Sequence, residues 1–374
     1  MAAGQKPEWS DPRKPELCSS VVRKGEELEG QATSLQKNIR FKKRNSSEPE
    51  VEELFDGVLK GNRGLLARAI TLVESNAEHH FQKSQELLQR LLPYSGNSIR
   101  VGITGVPGAG KSTFIEEFGM YLCNLGLKVA VLAIDPTSSI SGGSILGDKT
   151  RMEQLARNPR AFIRPSPSAG KLGGVHRKTR ESMLLCEAAG FNVILIETVG
   201  VGQSEFIIRD MVDFFMLLVL TGAGDELQGM KKGILELADA IIVHKADGDN
   251  KQKAELTRKD YNRILHFLQP ATKGWISKAH TCSSLTQEGI DKIWEVIQAF
   301  ESRGKFTGVL EDRRNAQSRE WLHAMITDQL HYHFYHHPEI MNQLPKLENE
   351  VIAGGKTVAS AVESLFKTFF QKKE

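Results

Sequence analysis

The chain has 374 residues, 40% of them hydrophobic and 25% charged, and a formal net charge of +3. This is enough apolar content for an α/β domain of about 200 to 250 residues with helical additions, and too small a charge excess for a large nucleic-acid footprint. Four widely spaced cysteines, Cys18, Cys123, Cys186 and Cys282, form no C-x-x-C pair and argue against a disulfide framework or a thiolate metal site.

Residues 1–46 are polar and aperiodic, interrupted by Pro7, Pro12 and Pro15, and are expected to be a disordered extension. Their acidic residues, among them Glu8, Asp11 and Glu16, depart from the pattern of transit peptides. No apolar run is long enough to span a bilayer, since the stretch from Met211 to Leu220 is short and carries Asp213. The expectation is a soluble cytoplasmic protein without a membrane or nucleic-acid partner, or one of the mitochondrial matrix if the source is eukaryotic.

Residues 47–96 read as a helical module. Ser47 stands as an N-cap with Glu50 three residues on, and Val51, Leu54, Phe55, Val58 and Leu59 follow at helical spacing. Two more amphipathic helices are predicted from Leu65 to Glu74 and from Phe81 to Leu92. Residues 97–303 then alternate short apolar runs with helical segments. Ile99 to Thr104 reads as a buried strand, and Lys128 to Ile134, Asn192 to Glu197, Phe214 to Leu220 and Ala240 to His244 are continuous apolar runs rather than alternating ones, as expected of strands covered on both faces. The fold class is therefore α/β, with a mostly parallel central sheet flanked by helices and ligands at the C-terminal strand ends. Residues 304–374 are helical, with helices from Arg313 to His333 and Ile352 to Phe370, and suit a dimerisation element.

The decisive motif lies between the first strand and the helix Lys111 to Asn124. Gly105, Val106, Pro107, Gly108, Ala109, Gly110, Lys111 and Ser112 fit G-x-x-x-x-G-K-[ST], followed by Thr113. In this setting backbone N–H groups and a helix N-terminus cradle phosphates, Lys111 reaches the β- and γ-phosphates, and the Ser112 hydroxyl ligates Mg²⁺. The chain thus binds a nucleoside triphosphate. Asp135 and Glu197 end two further strands, where carboxylates approach the metal, and Asp148 lies in a polar loop able to close over the γ-phosphate. Gly200, in Glu197-Thr198-Val199-Gly200, has the form of a γ-phosphate sensor. Lys111, Asp148 and Glu197 are the candidate catalytic residues; Ser112, Asp135, Asp148 and Glu197 are the candidate metal ligands.

Base identity comes from His244-Lys245-Ala246-Asp247 after the strand Ala240 to Val243. It is similar to the N-K-x-D element in which Asp accepts hydrogen bonds from guanine N1 and N2, a donor pair that adenine lacks. Ser283 and Ser284, after Thr281-Cys282, fit the short loop that contacts guanine O6. The bound pair is thus GTP and GDP. His244 stands where Asn is usual, which puts the loop-bracing bonds of that Asn in question, and His244→Asn is expected to leave specificity intact and to tighten guanine nucleotides modestly.

Six long runs then carry a resemblance. GVPGAGKS at 105–112, IDPTSS at 134–139, SGGSILGDKTRM at 141–152, FIRPSPSAGKLGGV at 162–175, ETVGVGQSE at 197–205 and GAGDELQGMKKG at 222–233 closely resemble the MeaB/MMAA/ArgK family of GTPases. The likeness covers nearly everything from Val51 onward. It implies a homodimer that couples GTP hydrolysis to cofactor loading and protection of an adenosylcobalamin-dependent acyl-CoA mutase, chiefly methylmalonyl-CoA mutase. It also implies Mg²⁺ or switch roles for Asp135, Asp148 and Glu197, a third switch loop from Gly222 to Lys231, and nucleotide contact by Lys231. Leu220-Thr221 precedes that loop where Pro or Ala is common.

Val201 occupies the place after Gly200 where many GTPases put a water-orienting Gln, so slow intrinsic hydrolysis, stimulated by a partner, is expected. Two other functions fit parts of the sequence. One is a P-loop small-molecule or transport-system kinase. The other is a metal-delivering GTPase, its sequence support being His331, His333, His336 and His337, although a plain polar helix surface accounts for these as well.

Overall fold

The computed structural model of the chain describes residues 48–75, 77–136, 152–168, 172–198, 204–221 and 232–370. Three helices come first: α1 (Val51–Leu59), α2 (Arg63–Glu74) and α3 (Glu78–Leu91). Helix α1 begins at Val51 with Glu50 at the N-cap position and no side-chain cap bond, and the expected cap Ser47 lies outside the described residues. The Asn62 side chain caps α2 by accepting from the N–H groups of Gly64 and Leu65.

Strands and helices then alternate: β1 (Ile99–Gly105), α4 (Lys111–Asn124), β2 (Val129–Pro136), α5 (Glu153–Arg157), β3 (Ala161–Ser168), α6 (Leu172–Ala188), β4 (Val193–Glu197), α7 (Ser204–Arg209), β5 (Phe214–Val219), α8 (Lys232–Leu237), β6 (Ala240–Val243), α9 (Lys251–Phe267), β7 (Lys278–Thr281) and α10 (Ile290–Thr307). All seven strands pair in parallel, in the order β3-β2-β4-β1-β5-β6-β7. The chain builds β2 to β4 on one side of β1 and β5 to β7 on the other. The topological switch therefore falls at β1, and ligands in such sheets bind at the C-terminal edge there.

The continuous apolar runs have their expected cause, because β4, β5 and β6 are buried along their whole length. Successive residues serve opposite faces. Val131, Leu195 and Phe214 pack with Phe114, Phe118 and Ile293 of the helices on one side. Leu132, Ile194 and Phe215 pack with Leu54, Leu66, Ile70 and Leu87 of α1 to α3 on the other. The N-terminal helices thus share a core with the sheet.

Strand β3 was not anticipated, since Pro165 and Pro167 interrupt its apolar pattern. It is tolerated because β3 is an edge strand: its prolines pair in register with Ala133 and Asp135 of β2 and have no outer neighbour to bond.

After β7 and α10 the described residues are helical: α11 (Val309–Tyr335), α12 (Pro338–Ile352) and α13 (Val358–Phe370). The single helix expected from Ile352 to Phe370 is corrected here. Gly354 adopts φ +74° and breaks the chain between α12 and α13, and Ile340, Leu347, Ala361 and Leu365 close a small core between them. The base of α11 is anchored to the edge of the sheet opposite the phosphate-loop end. Arg314 makes a two-pronged contact with the fully buried Asp213 carboxylate, at 2.8 and 2.6 Å, and donates to the carbonyls of Gly96 and Ser98. Gln317 Nε2 donates to Val212 O at 2.8 Å. Among the described residues no helix is long and apolar enough to cross a membrane.

Candidate nucleotide site

Strand β1 delivers Gly105 to the centre of the sheet's C-terminal edge, in register with Leu218 of β5. A Cβ on Gly105 would stand 2.3 Å from the Leu218 carbonyl oxygen, so only glycine allows the loop to leave the strand at that point. The loop ends at Gly110, in the left-handed region at φ +85°, which caps α4. Val106 is half-buried, Pro107 and Gly108 are exposed, Ala109 is buried and Thr113 is exposed. The backbone N–H groups at the start of α4 therefore open onto the edge where phosphates bind.

Lys111 is nearly buried, and its ammonium reaches back along the loop to donate to Gly105 O at 2.9 Å. The Ser112 hydroxyl donates to Glu197 Oε1 at 2.8 Å. This contact exists because β4 and β1 are neighbours in parallel register, with Glu197 opposite Ile103. A hydroxyl and a carboxylate side by side are hard oxygen donors, and they fit Mg²⁺ rather than a soft metal. Just beyond, the Thr198 hydroxyl donates to Thr104 Oγ1 at 2.8 Å and fixes the exit of β4.

Asp135 lies near the end of β2, its backbone in register with Pro167. Asp148, Gly200 and Lys231, with the loop from Gly222 to Lys231, lie outside the described residues.

The base-recognition elements follow β6 and β7. His244 is buried and spans two loops: Nδ1 lies 2.7 Å from Ala109 O in the phosphate loop and Nε2 lies 2.7 Å from Ser284 Oγ. Nδ1 must donate to the carbonyl, which leaves Nε2 to accept from the serine hydroxyl, so the neutral imidazole satisfies both partners. Burial pushes the His244 pKa below its ordinary value, with the bond to Ala109 opposing. The bracing in question at this position is supplied by the histidine ring itself. The ring reaches across to the phosphate loop itself, packing where a Gly110 Cβ would stand 2.9 Å from its Nδ1.

Lys245 adopts φ +58°, a strained conformation for a side-chain-bearing residue that turns the chain sharply after β6. Asp247 Oδ2 accepts from Ser283 Oγ at 2.5 Å, and Ser283 Oγ in turn accepts from the N–H groups of Leu285 and Thr286. The two base loops thus hold each other before any base arrives. Sequence reasoning missed Asn250. Its Nδ2 donates to Lys245 O at 2.7 Å and its Oδ1 accepts from Thr221 Oγ1 at 2.6 Å, joining the base loop to the end of β5. No motif marks it, because its role depends on β5 and β6 being adjacent.

Among the described residues His331, His333, His336 and His337 form no group of three with ligand atoms close enough to share a metal ion. His336 Nδ1 lies 2.9 Å from Tyr332 O, His331 packs on Tyr335, and His337 packs against Phe369.

Comparison with known proteins accords with this geometry. The family described as "Methylmalonyl Co-A mutase-associated GTPase MeaB" matches residues 66–339. The GTPase ArgK of Escherichia coli K12 is 49% identical over 289 residues, covering 77% of this chain and 87% of that protein. The mitochondrial methylmalonic aciduria type A homolog of Mus musculus is 44% identical over 329 residues, covering 85% of this chain and 79% of that protein. The crystal structure of a LAO/AO transport system kinase aligns with a TM-score of 0.68 at 38% identity, covering 86% of this chain and 98% of that one. A phosphate-loop motif on a parallel sheet and a match of this length lead to one conclusion: the chain belongs to the MeaB family of methylmalonyl-CoA mutase-associated GTPases and is a GTP hydrolase.

Proposed function

We propose that this GTPase acts as a nucleotide-driven chaperone of an adenosylcobalamin-dependent acyl-CoA mutase, methylmalonyl-CoA mutase, gating cofactor loading and protecting the mutase from inactivation. The observation that carries this reading is the family match from residue 66 to residue 339, which spans the phosphate loop, both base loops and the segment Gly222 to Lys231. The mitochondrial relative's name, referring to methylmalonic aciduria, supports the same client.

In this reading the N–H groups of Gly108 to Thr113 wrap the β-phosphate, and Lys111 exchanges its loop carbonyls for β- and γ-phosphate oxygens. Ser112 and Glu197 hold Mg²⁺ directly or through its water shell, with Asp135 and Asp148 as further ligands or switch residues. When bound, Mg²⁺ neutralises charge that develops on the phosphates during transfer to water. Gly200 senses the γ-phosphate, and Lys231 contacts the nucleotide from the third switch. Thr221, at the threshold of that loop, is tied through Asn250 to the base loop, which gives the loop a fixed starting point. Hydrolysis by the isolated chain is slow because Val201 cannot orient water, and the client completes the site. The chain functions as a homodimer through its C-terminal helices, where Leu322, Leu330, Val358 and Phe370 are exposed.

The test is GTP hydrolysis with and without purified mutase, in wild type and Lys231→Ala. Stimulation by the mutase in wild type is expected, and the ratio of stimulated to basal rate, each read at saturating GTP, is expected to fall toward one in the variant. Absence of stimulation in wild type, or equal stimulation in both, rejects the reading. Recovery of the γ-phosphate on a small molecule or protein instead of as free phosphate would favour the kinase alternative.

A further inference from the structure

Outside the nucleotide site, one group of chemistry-bearing side chains converges on the N-terminal helices. Glu48, just before α1, and His79 and His80, in the first turn of α3, bring a carboxylate oxygen and two imidazole nitrogens within 4.8 Å of one another. Glu48 and His79 are exposed and His80 is half-buried, so the group is open to solvent. The two rings lie 4.0 Å apart.

His80 is held in a defined orientation. Its Nδ1 lies 2.7 Å from Ser75 Oγ, and that oxygen already accepts from the Ala77 N–H. Nε2 lies 2.9 Å from Glu48 Oε1, and the Ser75 hydroxyl can serve Nδ1 as acceptor or donor according to the tautomer. In the tautomer that carries the proton on Nδ1, the Nε2 lone pair and the carboxylate oxygen face one cation position. The other carboxylate oxygen, Oε2, faces Lys83 Nζ at 3.7 Å, which leaves Oε1 directed at the histidines.

Two imidazoles and one carboxylate are a donor set that Zn²⁺ accepts with three protein ligands and water in the remaining position. Tetrahedral bonds of about 2.0 to 2.2 Å place donor atoms about 3.4 Å apart, so side-chain adjustments of about 1 Å close the trio around an ion. A ligating histidine is fixed when its far ring N–H donates to an oxygen, and Ser75 Oγ stands 2.7 Å from His80 Nδ1 in that place. The geometry points to a zinc-class divalent cation site formed by Glu48, His79 and His80, with Ser75 as the positioning residue. It joins the lead-in of α1 to the α2–α3 turn and is separate from the hard-oxygen pair Ser112 and Glu197.

The test uses the full chain, stripped with chelator and saturated with Mg²⁺ and GDP so that the nucleotide site is filled, then titrated with Zn²⁺ against a chromogenic chelator. Wild type is expected to take up about one equivalent that His79→Ala and His80→Ala each lose, while Ser75→Ala binds about ten-fold more weakly. A chain with His331, His333, His336 and His337 all changed to Ala is expected to keep it. Zn²⁺ should also raise the thermal midpoint of wild type and leave that of His79→Ala unmoved. His79 is exposed, and retained GDP binding certifies the fold of each variant. Uptake that is unchanged in His79→Ala and His80→Ala, or no uptake by wild type, overturns the proposal and leaves the trio as a hydrogen-bond network only.

Discussion

His244→Asn is the substitution on which sequence and structure disagree in sign. It restores the residue that the N-K-x-D pattern favours, and the sequence alone predicts tighter guanine nucleotides. In the structure, His244 Nδ1 reaches Ala109 O and Nε2 reaches Ser284 Oγ, each at 2.7 Å. Asn Nδ2 hangs from Cγ as histidine Nδ1 does, so the bond to Ala109 survives, but nothing takes the place of Nε2. The lost bond, which leaves the buried Ser284 hydroxyl without this partner, costs about 1 kcal/mol. The space vacated beside Gly110 and Phe114 adds about 1 kcal/mol. A total of about 2 kcal/mol corresponds to roughly 30-fold in an equilibrium constant. It divides between chain stability and nucleotide affinity, because the bonds join the loop that holds the phosphates to the loop that reads the base. Calorimetric titration with GDP near neutral pH, beside thermal unfolding of the nucleotide-free chain, measures both parts. Weaker GDP binding and a lower midpoint are expected, with the preference for GTP over ATP intact because Asp247 is untouched. Equal or tighter binding with an unchanged midpoint would refute the bracing role.

Lys111→Ala removes the point charge that meets the phosphates, and loss of tight GTP binding in calorimetry is expected; near-normal affinity would sink the phosphate-loop assignment. Asp247→Asn should relax guanine preference by about 1 to 3 kcal/mol, read as the ratio of GTP to ATP dissociation constants, and an unchanged ratio would place base reading elsewhere. Arg314→Ala strands the Asp213 carboxylate in the interior and should cost about 3 kcal/mol or more, whereas Arg90→Ala, which breaks the pair with the mostly exposed Glu52, should lower the thermal midpoint far less. Similar thermal midpoints for these two variants would contradict the anchoring of α11. Because burial lowers the His244 pKa, the unfolded chain binds the proton more readily. The stability this residue contributes is whole above its ordinary value of 6.5 and falls as pH drops below it. Acid titration of stability should therefore be flatter in His244→Asn than in wild type, and parallel curves would count against a neutral, buried imidazole.

The sequence by itself determined the elements whose signals are local. Continuous apolar runs identified β2, β4, β5 and β6, because strands covered on both faces need few polar positions. G-x-x-x-x-G-K-S identified the phosphate loop, because its glycines answer to backbone geometry within a few residues of themselves. Other features depend on which parts of the chain become neighbours. Strand β3 carries prolines that only an edge position permits, and its edge position is a property of the whole sheet. The meeting of Ser112 with Glu197 follows from the adjacency of β1 and β4. His244, which departs from its motif, regains bracing bonds only because the phosphate loop and the Ser284 loop converge on it. Asn250 joins Thr221 to Lys245, and Glu48 meets His79 and His80, across separations that leave no periodic trace. Hydrogen bonds between distant segments are set by packing, and packing is decided only when the layers close.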